Sequence, residues 1–210
     1  MPPDDLAIVM ARLAALERVL LTDPEGQGAN FVSIIKNYGQ AVGGSLEHGH
    51  QQILFGNVMP RRVAENHRYE ETHGETLTAY LLRENPADLT IADYGAAVLL
   101  VPYFMRRPYD MMLVVKDTGK RHLYELTGDE LLAVARGWHD ATRVIHSLMP
   151  SIGREIAYSI LVHNGLGAGL YFEFFPFTQE EGGLEKLGLH VCQQNPAPAA
   201  SDIRRSLRVT

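Results

Sequence analysis

The sequence predicts an α+β fold in which short strands double back on one another, antiparallel, and long helices lie against them. Two observations carry this. Apolar residues recur at helical spacing in two long stretches, and strand-like runs come in pairs separated by glycine-rich loops. Pro2-Pro3-Asp4-Asp5 opens a helix over 4–22, where Leu6, Val9, Met10, Leu13, Leu16 and Leu20 share one face, and Asp23-Pro24-Glu25-Gly26 stops it. Phe31 to Lys36 reads as a strand, 37–45 as a glycine-broken loop, and His48 to Asn57 as the returning strand. A polar helix spans 61–85 and ends at Pro86. Strands follow at 96–103 and 111–116, then a helix over 128–148 capped by Thr127. A strand at 156–162, the glycine loop 163–169, a strand at 170–177, a weakly alternating stretch at 184–194 and a closing helix at 199–207 complete the chain.

Two of these stretches share an order: helix, strand ending in asparagine (Asn37, Asn164), glycine loop, strand. The pattern implies an internal duplication, with one unit over 1–86 and a second over 87–210. The second has two extra strands before its helix. The first lacks them, and so reads as incomplete at its N-terminal side.

Composition narrows the function. A net charge of -6 and a pI near 5.8 argue against a nucleic-acid surface, which needs a basic stripe. The single Cys192 leaves no internal disulfide and no thiolate metal cage. No apolar run reaches the length of a membrane span, and the acidic Met1–Asp5 start is unlike a secretion leader, so the expectation is a cytoplasmic chain with no membrane partner.

The chemistry concentrates in Gly43-Gly44-Ser45-Leu46-Glu47-His48-Gly49-His50-Gln51-Gln52. Strand alternation puts His48, His50 and Gln52 on one face. The preceding glycines and serine offer backbone amides that an anion can approach closely. An imidazole beside an anion loop is a suitable nucleophile for phosphorus, and a phosphoramidate is labile enough to be discharged by a second acceptor. A His-x-His by itself fits a turn or a metal site as well. The Gly-Gly-Ser loop and Gln52 in register are what favour the nucleophile.

The run from Asn37 and Gly39 through Gly43-Gly44-Ser45 to His48-Gly49-His50-Gln51-Gln52-Ile53 resembles the active-site motif of galactose-1-phosphate uridylyltransferases, Asn-x-Gly, a small-residue loop with serine, then His-x-His-x-Gln. These belong to a branch of the histidine-triad superfamily that also holds sugar-nucleotide and dinucleoside-polyphosphate phosphorylases. A looser likeness runs through Leu100-Val101-Pro102-Tyr103, Glu125-Leu126-Thr127, Pro176 and Gly183-Leu184-Glu185. The resemblance implies two histidine-triad-like halves and a double displacement in which His50 takes a nucleoside monophosphate. His48 would orient the site, and Gln52 and Ser45 would hold the α-phosphate. Asn37 would touch phosphate or nucleoside, and Gly39, Gly43, Gly44 and Glu185 would help bind substrate. The implied donor is a nucleoside diphosphate sugar or dinucleoside polyphosphate, and the acceptor a sugar phosphate or phosphate, as in galactose metabolism.

Departures from the family pattern matter too. The Cys-x-x-Cys of its zinc site is absent, and Tyr171-Phe172-Glu173-Phe174-Phe175-Pro176 stands where a second His-x-His is usual, with His163 as a remnant. No metal and no cofactor are therefore expected. A homodimer is expected, because a shortened half leaves strand edges open. Two alternatives carry the same motif: a non-catalytic nucleotide-binding or subunit-assembly protein, and a hydrolase of nucleotide conjugates. His67 and His73 read as solvated. His139 and His146 share a helix face but have no acidic or cysteine companions, and Gly165-x-Gly167-x-Gly169 lies between strands rather than before a helix, so it is not a dinucleotide fingerprint.

Overall fold

The computed structural model describes residues 1–22, 31–46 and 48–209; the expected stop at 23–26 and Glu47 of the motif lie outside them. Helix α1 (Pro3–Thr22) leads to strand β1 (Phe31–Tyr38) and its partner β2 (Gln52–Gly56). Helices α2 (Arg61–His73) and α3 (Leu77–Glu84) follow, then β3 (Thr90–Asp93), β4 (Ala97–Leu100) and β5 (Met111–Val115). Helix α4 (Gly128–Ser151) precedes the hairpin β6 (Tyr158–His163) and β7 (Tyr171–Pro176), and α5 (Gly183–Lys186) and α6 (Pro196–Val209) close the chain.

The strands form one antiparallel sheet in the order β2-β1-β6-β7-β5-β4-β3. The α+β reading therefore holds, but the two helix-preceded hairpins do not make separate sheets. β1 pairs with β6 from Ile34↔Val162 to Tyr38↔Tyr158, so they merge at the middle of one sheet. Their helices pair in the same way. α1 buries Leu6, Met10, Leu13 and Ala14 against α4, whose Trp138 meets Phe172 and Phe174 edge-on at 5.8 and 5.5 Å. Helix α6 packs on the same side, giving one main core between helices and sheet. A smaller cluster of Leu81, Val98, Leu100, Met112, Val114 and Tyr171 lets α3 cover part of the opposite face. Toward β6 and β7 that face borders a cavity lined by Ser159, Leu161 and Phe175.

Several elements differ from the sequence reading. The strand expected over 48–57 begins only at Gln52. The His50 carbonyl accepts from Lys36 Nζ (3.2 Å) instead of a strand N–H, and His50 Nδ1 turns back to the His48 carbonyl, so 48–50 is a turn. Alternation along a strand therefore does not align His48 with Gln52. The helix expected over 61–85 is two: Gly74 ends α2 in the left-handed region (φ 71°), and Thr76 Oγ1 caps α3 by accepting from Ala79 N–H. Strand β3 was not anticipated, because four residues at a sheet edge give too short a pattern. Helix α4 opens on the expected Thr127 cap but runs on through Pro150 to Ser151.

Glu17, fully buried on α1, accepts from His122 Nδ1 (3.1 Å), Leu123 N–H (2.8 Å) and Asn164 Nδ2. That carboxylate ties α1 to the segment before α4 and to the start of the β6–β7 loop.

Candidate active site

The motif loop leaves β1 at Asn37, whose Oδ1 accepts from Ser159 Oγ on β6 at 2.9 Å. Gly39 then adopts φ 92°, ψ 149°, a conformation open only to glycine, and a Cβ there would lie 2.8 Å from Ala157 Cβ. Gly43 is left-handed (φ 80°) and faces open space. Gly44 closes the loop by donating its N–H to Gly39 O at 2.9 Å, so tightly that a Cβ would sit 2.8 Å from that oxygen. Tyr38, Gly39, Gln40, Gly44, Ser45 and Leu46 line a hollow of about 250 Å³, with Ser45 exposed at its rim. Small residues are needed here because the backbone itself forms the wall.

His50 follows, half-buried, with its ring centroid 6.1 Å from that of the exposed His48. The hydrogen bond from His50 Nδ1 to the His48 carbonyl, 3.1 Å, fixes the chemistry of the ring. A carbonyl oxygen only accepts, so Nδ1 is the donor, and in the neutral ring the lone pair is then on Nε2. Lys36 secures the same backbone from the helix-facing side of β1, packed beneath Gly49 and donating to His50 O; burial lowers its ammonium pKa. Gln52 pairs with Ile35 and so faces the open side of the sheet with Ile35, Leu161 and Glu173. Asn37, the glycines, Ser45, His48, His50 and Gln52 are thus gathered at one end of β1 and β2.

Glu185 is not among them. It sits on the exposed α5, where its own backbone N–H and those of Val191 and Gly182 hold its carboxyl below the usual carboxylate range. His146 is a packing residue, its ring 5.3 Å from Tyr38 and 5.8 Å from Tyr158; His139 Nδ1 meets the Met1 carbonyl at 2.9 Å.

Beside the motif lies a larger cavity of about 650 Å³, and sequence reasoning missed most of its residues. Ala41 and Val42 of the motif loop form one rim. Ser159, Leu161, Phe175 and Phe177 form the floor, and Arg62, Arg106 and Arg107 reach in from α2 and the β4–β5 loop. His163 Nε2 meets Glu173 Oε2 at 2.6 Å, and the other oxygen of Glu173 takes the Arg106 guanidinium. His163 stacks on Tyr171 (4.2 Å), whose hydroxyl accepts from Asn66 Nδ2. The one available signal was a lone acid in the apolar run Tyr171–Pro176, two strand positions from Tyr171 and on the same face.

These donors do not fit a metal. The oxygens that would join His163 belong to a carboxylate already matched by Arg106, and among the described residues His48 has no acid or thiolate companion. Among the described residues, no group of three or more His, Cys, Asp or Glu is placed to hold an ion.

The helix-backed antiparallel sheet is the fold of solved uridylyltransferases and of an ADP-glucose phosphorylase. The whole chain superposes on a solved uridylyltransferase with a TM-score of 0.87 at 19% identity, covering 71% of it. Over 97% of its length it matches an ADP-glucose phosphorylase from Arabidopsis thaliana, solved with ADP-glucose bound, with a TM-score of 0.80 at 16% identity, covering 66% of that chain. In sequence it is 27% identical over 119 residues to a galactose-1-phosphate uridylyltransferase of Hypocrea jecorina, 54% of this chain and 31% of that one. It is 32% identical over 111 residues to that of Haemophilus influenzae, 50% of this chain and 32% of that one. The chain thus spans about a third of the length of the curated relatives it matches. No protein-family model matches it. None of the described helices is long and apolar enough to cross a membrane.

Proposed function

We propose that this chain is a nucleotidyltransferase that moves a nucleoside monophosphate from a nucleoside diphosphate sugar to a phosphorylated acceptor, with His50 as the covalent carrier. One observation supports this above the rest: the Nδ1–H to His48 carbonyl bond, which in the neutral ring puts the His50 lone pair on Nε2. Nε2 attacks the α-phosphorus, and the bond to the bridging oxygen breaks, releasing the sugar phosphate. The phosphate oxygen of the acceptor then attacks the same phosphorus, and the P–N bond breaks, returning the electron pair to Nε2. In the Gly39–Ser45 loop the Val42, Gly43 and Gly44 N–H groups close on the loop's own carbonyls, so the exposed Ser45 at its rim faces the non-bridging oxygens, and Gln52 adds an uncharged donor. Both sequence relatives are named for a uridylyl transfer to galactose 1-phosphate, and a fold neighbour holds ADP-glucose, which favours a sugar nucleotide as donor over a dinucleoside polyphosphate. The same reading includes a homodimer, supported by β2, an edge of the sheet that leaves Leu54 55% exposed.

Intact-protein mass after incubation with a panel of nucleoside diphosphate sugars tests the carrier. The expected result is an acid-labile gain of one nucleoside monophosphate, absent in His50→Ala. Nucleotide binding without any adduct would refute it and leave a binding protein in its place. Water outcompeting sugar phosphates and phosphate as acceptor would make it a hydrolase.

A further inference from the structure

We propose that the cavity beside the motif is a second anion subsite, built for a negatively charged group on the sugar half of the substrate: a uronate carboxylate or a second phosphate. The sugar-phosphate part of this assignment rests on His50 being the nucleophile.

The charges lining the cavity are of two kinds. Arg106 is fully committed. Its guanidinium lies 4.7 Å above the Phe175 ring and is ion-paired with Glu173, which is 2% exposed and bound on its other oxygen by His163. In that trio the charges of Arg106 and Glu173 offset one another. Arg107 has its nearest acid on the outside. Its Nη2 lies 3.0 Å from Glu181, whose side chain is 52% exposed. Its other acid, Asp110, is 3.9 Å away, and Asp110 Oδ2 already accepts the backbone N–H groups of Arg106 and Arg107. Arg62 makes no ion pair among the described residues. Glu180, the remaining acid of the lining, is paired with Arg154 at 3.1 Å. Arg62 therefore borders the cavity without an ion pair among the described residues, Arg107 meets its buried acid Asp110 only at 3.9 Å, and a ligand anion can replace the solvent-exposed Glu181 as the close partner of Arg107.

Position decides which anion this is. Asn37 marks the motif end of the site, Ser159 is its partner on β6, and Phe175 is the partner of Ser159 on β7. At ~4.8 Å per strand, the arginines over Phe175 lie about 10 Å along the sheet from Asn37. A phosphate held at the Asn37 end of the sheet is too far away for a direct ion pair with those guanidinium groups. A substituent at the far side of a sugar ring joined to that phosphate is not. Leu161 and Phe177 add apolar surface to the same lining.

Calorimetric titration of the whole protein with glucose 1-phosphate, glucuronic acid 1-phosphate and glucose 1,6-bisphosphate tests this, with the galactose counterparts run alongside. One or both doubly anionic sugars should bind about tenfold or more tightly than the monophosphate, as expected for a charge-assisted pair. The tighter of the two names the anion. The gain should vanish in Arg62→Gln and Arg107→Gln. It should persist in Arg61→Gln, which removes the same charge one residue away from a side chain outside the cavity that pairs with Glu65. Equal binding of all three sugars, no binding, or a gain indifferent to both arginines overturns the subsite. Adduct mass on the same preparation separates the two ideas. An adduct without charge preference sinks the subsite alone, whereas an arginine-dependent preference without an adduct sinks the nucleophile and with it the sugar-phosphate assignment.

Discussion

Three glycines of the motif loop should tolerate a methyl group to very different degrees, and the reasons can be separated. At Gly43 a Cβ meets nothing within 4 Å, so Gly43→Ala carries only the left-handed backbone penalty, about 1–2 kcal/mol. At Gly44 the backbone dihedral is ordinary, but a Cβ would lie 2.8 Å from Gly39 O and 2.9 Å from Gly39 N, both main-chain atoms that move only with the loop. Overpacking of that kind costs roughly 1–3 kcal/mol. Gly39 combines a glycine-only conformation, about 1–3 kcal/mol, with contacts of 2.8 Å to Ala157 Cβ and 2.9 Å to Ile156 O, so its cost should approach the sum. Urea unfolding of the three alanine variants should rank Gly39 as most damaging and Gly43 as least. Labelling of His50 by donor should fall most steeply, relative to lost stability, in Gly44→Ala, because its N–H closes the anion loop. A Gly43→Ala variant as destabilised as Gly39→Ala would refute the view that close backbone approach, rather than backbone dihedral alone, shapes this loop.

Other consequences follow from buried charge. Glu17→Ala leaves Leu123 N–H, Asn164 Nδ2 and His122 Nδ1 without their acceptor, and chemical denaturation should show a loss of about 3–5 kcal/mol. Glu17→Gln should relieve only part of it, since an amide supplies one acceptor oxygen where the carboxylate supplies two. Burial, and then the positive charge of Lys36, hold the His146 imidazole below its usual range. The folded chain therefore takes that proton less readily than the unfolded one, so stability should be full above the unfolded value of about 6.5 and decline as pH falls through it. His146→Phe should flatten that limb, and a wild-type curve level from pH 7 to 5 would count against the assignment. Lys36→Met removes a cation that burial penalises but also the donor to His50 O. Melting temperature should not drop, while the rate of His50 labelling falls about tenfold as the turn loosens.

How far the sequence revealed this depended on whether a feature was local. Helix α1 was legible because Leu6, Met10 and Leu13 repeat at its own period, and α4 because Thr127 and Glu130 form a reciprocal cap. The motif residues were legible as types at fixed spacing. Their conformation was not, since His48-Gly49-His50 alternates like a strand while a lysine fourteen residues away, on the neighbouring strand, takes the carbonyl that a strand would use. The arginine cavity was least legible. Arg106 and Glu173 are 67 residues apart, and only the β5–β7 and β6–β7 registers bring the β4–β5 loop, His163 and Glu173 together.

The two glycine loops show why likeness in sequence order does not make likeness in role. Both follow a strand ending near asparagine, and β1 and β6 lie side by side, so topology alone would give the chain two equivalent loops. Packing separates them. A Cβ at Gly167 would fall 2.2 Å from His67 Cα on α2, and one at Gly169 would fall 2.0 Å from Thr78 Oγ1 on α3. The second loop spends its glycines on letting two helices approach the sheet, and Asn164 at its start is bound to Glu17. Around Gly43 and Gly44 no helix intervenes, the loop borders a hollow, and Asn37 is held by Ser159 on the open face. Helices α2 and α3 therefore do more than cover apolar strands: they fill the space beside one loop and leave the other clear.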